Sequence, residues 1–71
     1  MTDIELLRAK IKDSGMTMVA ISNKSGIERT TLYNRINGIG EFTASEIVGL
    51  SNTLHLSKQE RDKIFLSANV N

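Results

Sequence analysis

Apolar residues along this chain fall at spacings of three and four, and the β-branched ones are scattered singly instead of alternating. That pattern predicts helices joined by short turns, not strands. A local signature marks where each helix begins. An apolar residue stands just before a polar cap, and a second apolar residue five positions on can pack against the first as a staple. Met1/Leu6 around Thr2, Met16/Ile21 around Thr17, Ile27/Leu32 around Glu28 and Phe42/Ile47 around Thr43 all fit it. Thr2 with Glu5, Thr43 with Glu46 and Ser57 with Glu60 also fit the capping box, in which a hydroxyl and a carboxylate satisfy the first free N–H groups reciprocally. Together these signals predict five helix starts.

The first predicted helix covers residues 3–14, with Ile4, Leu7 and Ile11 on one face and Gly15 as a left-handed stop. The second covers 18–24 and is ended by Gly26. Only Ser25, Gly26 and Ile27 separate it from the next cap, Glu28, which forces an angled pair of helices, a helix-turn-helix. The third covers 29–37 and closes at Gly38, the fourth covers 44–54, and the fifth covers 58–66 with Ile64 and Phe65 apolar. Residues 67–71 are expected to fray. The expected fold is all-α, a compact five-helix arrangement in one domain over 1–71, with the helix-turn-helix at 17–38 and the last two helices within 43–66.

Composition narrows the picture. With 71 residues, 39% hydrophobic and 24% charged, there is material for one small core. The absence of cysteine removes disulfides and thiolate metal sites, so packing and helix signals must supply the whole net stability, about 3–5 kcal/mol for such a domain. The longest apolar run, Met18 to Ile21, is far short of the ~20 residues that span a bilayer, and no basic-then-apolar leader opens the chain. A soluble, cytoplasmic protein with no membrane partner is expected. The single histidine, His55, sits in a Leu54-His55-Leu56 turn, and no Gly-rich phosphate loop or acid pair outside the caps is present. No catalytic residue, cofactor or metal is therefore expected, and an enzyme is disfavoured.

A net charge of +1 argues against a polybasic arm, so any nucleic-acid function must rest on where charge is placed. Between Met16 and Gly40, Lys24, Arg29 and Arg35 stand against Glu28 alone, an excess of +2, whereas the segment before is neutral and the segment after is −1. The excess sits on the helix pair. With Leu32 taken as inward, Thr30 and Asn34 on the third helix point away from the core, Thr31, Tyr33 and Asn37 flank them, and Arg29 can swing outward. Thr and Asn are poor helix formers, so a purely solvated face would favour Glu, Lys or Gln. Arg, Thr and Asn side chains do suit base edges in a major groove: Arg to guanine, Asn to adenine, the Thr methyl to thymine.

The segment TMVAISNKSGIERTTLYNRING, residues 17–38, resembles the helix-turn-helix of Cro/CI-type (XRE-like) phage and plasmid regulators. Thr17 stands at the cap of the second helix, Gly26 in the turn, Ile27 and Leu32 at the two core positions after it, and Asn37-Gly38 at the close of the recognition helix. Residues 39–65 look like the last two helices of small members from temperate phages of Gram-positive bacteria, so the resemblance covers nearly the whole chain. It implies a lambda-repressor-like five-helix fold, a recognition helix in the major groove, and dimers on half-sites about one helical turn apart. It also implies a Cro-like regulator of a lysogeny switch, acting in the bacterial host cytoplasm. Carried over by position, Arg29, Thr30 and Asn34 match base-reading places. Thr31 and Tyr33 lie near base or backbone, and Asn37 and the Thr17-capped helix start match phosphate contacts.

Three residues depart from the pattern. Met18 stands where many members carry a Gln that bonds phosphate, Glu28 where the recognition helix usually has a Ser or Thr cap, and Ser22 where a small apolar residue is common. Glu28 would repel phosphate unless paired with Arg29 or Arg35, whereas the Ser22 hydroxyl can bond back to a helix carbonyl. Two readings follow. In the first, the chain binds double-stranded operator DNA as a weak dimer through Thr17, Arg29, Thr30, Thr31, Tyr33, Asn34 and Asn37. In the second, it is a modulator that binds a CI-type repressor protein through a surface containing Met18, Glu28, Tyr33 and Arg35, with Met18 exposed or else merely covering the third helix. A homodimer would use the fifth helix with Leu66 and Val70, unless Phe65 and Leu66 only close the monomer core.

Overall fold

The computed structural model describes residues 1–66, and these form five helices in chain order: α1 (Ile4–Ser14), α2 (Met18–Ser25), α3 (Arg29–Ile36), α4 (Ala44–Thr53) and α5 (Lys58–Phe65). The expected all-α class is what the structure shows. The expectations for residues 67–71, including fraying and a dimer contact through Val70, lie outside the described residues.

Most helix boundaries follow the predicted chemistry. The Thr17 hydroxyl accepts from the Ala20 amide at 3.1 Å, and two of the three expected capping boxes, Thr43/Glu46 and Ser57/Glu60, are complete. The start of α1 differs. Its cap is Asp3, whose carboxylate accepts from the Leu6 amide at 3.0 Å, and Thr2 and Glu5 form no box. A tertiary bond explains the shift: the Asp3 amide donates to the Ile64 carbonyl at 2.7 Å, fastening Asp3 to the end of α5. Met1 is 82% exposed and serves no staple, and on α1 it is Leu6, not Ile4, that joins Leu7 and Ile11 at the core.

All five helices and two connectors contribute to one core of Leu7, Ile21, Ile27, Leu32, Ile36, Phe42, Leu50, Ile64 and Phe65. Phe42 and Phe65 meet edge to face with ring centroids 5.3 Å apart, an arrangement that satisfies their quadrupoles and closes α5 onto the approach to α4. The most extensive helix contact is between α2 and α4. There Gly49 of α4 lies so close to the Ser25 carbonyl at the end of α2 that no Cβ could fit. Thus α4 is the support against which α2 rests, and α2 in turn packs on α3. Among the described residues no helix is long and apolar enough to cross a membrane.

An ion pair ties α1 to α5. Lys10 Nζ lies 2.5 Å from Glu60 Oε2, while Glu60 Oε1 accepts from the Ser57 amide at 2.8 Å. The Lys10 hydrogen bond first, and the Ser57 amide second, lower the Glu60 pKa from its ordinary 4.5 to about 2. A depressed carboxylate pKa contributes stability that is complete above 4.5 and disappears as pH falls through about 2. The melting temperature of the wild type should therefore exceed that of Lys10→Met at pH 6, and the gap should close as the pH is lowered across that window. A gap that stayed constant down to pH 2 would show that the pair does not carry this linkage.

Candidate nucleic-acid interface

Gly26, in the left-handed conformation at φ 78°, ends α2 and turns the chain within three residues into α3. Ile27 in the turn and Leu32 and Ile36 on α3 are buried, which fixes the rotation of α3 about its axis. The Ser22 hydroxyl secures the turn from inside, donating to the Ile27 carbonyl at 2.5 Å. Its partner is thus a turn carbonyl and not one within its own helix. At the far end, α3 stops in a Schellman arrangement: Gly38 takes φ 82°, its amide donates to Arg35 O at 3.0 Å, and the Ile39 amide donates to Asn34 O at 2.8 Å.

This rotation leaves Arg29, Thr30, Tyr33 and Asn37 exposed on the outer side of α3, with Thr31 half-buried. Thr17 is exposed at the start of α2 beside the first amides of that helix, which precede its first helical hydrogen bond, Ile21 N to Thr17 O. Asn34 is a correction. It is half-buried where the helical wheel places it facing solvent, and its carbonyl accepts from the Ile39 amide. Of the predicted DNA-contact residues, Thr17, Arg29, Thr30, Tyr33 and Asn37 are thus exposed, and Thr31 and Asn34 are half-buried.

Two members of the predicted partner surface, Arg35 and Met18, are half-buried. Arg35 does not pair with Glu28. Its Nε lies 3.5 Å from Glu46 Oε1 on α4 and its Nη1 donates to Ile39 O at 3.2 Å, so this half-buried side chain clamps the α3–α4 connection. Met18 is half-buried and packs against the core instead of standing free. Glu28 is exposed, caps α3 with its backbone only, and has no ion pair among the described residues. Its backbone, at φ −56° and ψ 142°, already has the extended form an N-cap needs. Its longer side chain makes no bond to the first amides of α3, whereas an Asp there is of the favoured capping type. Glu28→Asp keeps the charge and adds the cap, and should raise stability by about 1 kcal/mol, measured as a higher midpoint in urea unfolding.

Arg8 escaped the sequence reading. From α1 its Nη2 donates to Asn37 Oδ1 at 2.7 Å and to the Ile36 carbonyl at 3.3 Å, so it neutralises the carbonyl end of α3. With its oxygen taken by Arg8, the Asn37 amide keeps its NH2 group as a donor. The two residues are 29 positions apart, and nothing local in either segment signals the contact. Beside it lies an open groove of about 330 Å³ between α1 and the α2–α3 pair, floored by Ile11, Met18, Tyr33 and Ile36. Arg8, Lys12 and Asn37 form the rest of its lining. A second groove, of about 340 Å³, is lined by Val19, Ser22, Asn23 and Arg29 and is polar. Among the described residues no group of three His, Cys, Asp or Glu side chains could hold a metal ion.

No protein-family model, curated protein or solved structure matches the chain. The functional reading therefore rests on the residues and their arrangement.

Proposed function

We propose that this chain is a DNA-binding regulator that lays α3 in the major groove of an operator duplex, the Cro-like role its residues 17–38 resemble. The observation that carries this reading is the outer side of α3. A helix fixed in rotation by Leu32 and Ile36 turns Arg29, Thr30, Tyr33 and Asn37 to solvent, none of them in an ion pair among the described residues. These groups offer hydrogen bonds and a methyl of the kinds that base edges accept. The N-terminal amides of α2 and the NH2 of Asn37 supply neutral phosphate donors. With few cations present, affinity per monomer is low and specificity carries most of the useful binding.

Glu28 favours a second reading, a modulator that binds a CI-type repressor protein. With Arg35 held by Glu46, this carboxylate stands unneutralised where a phosphate would approach α3. Removing a like charge near a phosphate is worth about 1 kcal/mol, roughly fivefold in affinity. Fluorescence anisotropy on labelled duplexes at low salt separates the readings. Under the DNA reading, Glu28→Ser and Met18→Gln strengthen duplex binding. Under the modulator reading they leave it undetectable and weaken the complex with the repressor.

A further inference from the structure

The groove beside α3 has a composition that the DNA reading does not use. Phosphates would engage its cations but gain nothing from a floor of Ile11, Met18, Tyr33 and Ile36. Met18 and Ile11 are half-buried and Tyr33 is 46% exposed, so this apolar surface is in contact with water. Its two charged lining residues, Arg8 and Lys12, are both cationic, and no carboxylate lines it. Neither cation belongs to any of the three ion pairs of the described residues, Lys10–Glu60, Arg35–Glu46 and Arg61–Asp62. A volume of about 330 Å³ lies at the low end for ligand sites and suits a few side chains better than an extended ligand.

We propose that this groove docks an acidic, apolar segment of a partner protein, with one or two large apolar side chains on the Ile11–Met18–Ile36 floor and flanking carboxylates against Arg8 and Lys12. Both features of the site are then satisfied together: the apolar floor leaves water, and Arg8 and Lys12, which are in no ion pair among the described residues, gain carboxylates. Tyr33 and Asn37 belong at once to the groove lining and to the outer side of α3, so an occupant covers part of the DNA-reading face and competes with duplex. The competition rests on the proposed DNA reading; the docking does not.

A random peptide library displayed on phage, selected against the intact chain, tests the docking directly. Enriched peptides should carry a large apolar residue flanked by Asp or Glu. A fluorescein-labelled synthetic copy should bind at least about tenfold more weakly to Lys12→Glu and to Tyr33→Ala. Both substitutions alter exposed side chains, and circular dichroism verifies that the helices remain. Lys63→Glu, an equal charge reversal on α5, should leave binding unchanged. The proposal is overturned if nothing is enriched, if the enriched peptides lack acids, or if Lys12→Glu binds them as the wild type does. It is also overturned if Lys12→Glu weakens only duplex DNA, which would make the groove a phosphate contact. Peptide that binds without displacing duplex removes the competition and leaves the docking standing. Absence of duplex binding altogether contradicts the DNA reading alone.

Discussion

Gly49→Ala should lower the melting temperature, although alanine is the better helix former. In an exposed helix the exchange would stabilise by about 0.5–1 kcal/mol. Here the added methyl would land on the Ser25 carbonyl. That obstacle is backbone at the end of α2, and it cannot turn aside as a flexible side chain could. The two helices must separate along their most extensive contact, and overpacking of this kind costs about 1–3 kcal/mol. Steric cost outweighs propensity, and the net loss should shift the midpoint by roughly 4–8 °C for each kcal/mol in a domain of this size. Thermal unfolding followed at 222 nm measures it. Because α2 rests on α4 and packs on α3, the variant should also lose duplex affinity at temperatures where it is still folded. A rise in melting temperature would mean that the α2–α4 approach is not a constraint.

Arg29→Ala should weaken binding to the preferred operator by roughly 5- to 150-fold, the equivalent of about 1–3 kcal/mol for one bidentate base contact, while leaving stability nearly unchanged. Arg29 is exposed at the first position of α3, outside every ion pair of the described residues, so folding makes little use of its guanidinium. Salt titration tells a base contact from a phosphate contact. If Arg29 reads a base, the loss is confined to duplexes carrying that base and the salt slope is retained. If it touches phosphate, affinity falls evenly across sequences and the slope decreases by about 0.9.

Much of this architecture can be read from short sequence patterns because the signals are local. A Thr or Ser three residues before a Glu, or a Gly where the chain must enter the left-handed region, determines its own helix end, as at Thr43, Ser57 and Gly26. The burial of Leu32 and Ile36 follows from helical period, and with it the outward placement of Thr30 and Arg29. What escapes is tertiary. Asp3 replaces Thr2 as the cap because α5 accepts a bond from its amide, a partner 61 residues away. The pairing of Arg35 with Glu46 and of Arg8 with Asn37 depends on how helices are docked, and a helical wheel contains no such information. Asn34 lies opposite Leu32 on the wheel, yet it is half-buried, and its carbonyl is taken by the Ile39 amide where the chain leaves the helix.

The proposed role of the outer side of α3 is to read sequence in duplex DNA. Selecting duplexes from a random-sequence pool with the purified chain, then measuring affinity for the selected and for random duplexes at one fixed salt concentration, tests it most directly. A recurrent half-site is expected, bound roughly a thousandfold more tightly than random duplex, the lower end for specific regulators, with the preference altered in Thr30→Ala and Arg29→Ala. Selected pools without a common motif, bound within a few-fold of random duplex, would contradict it.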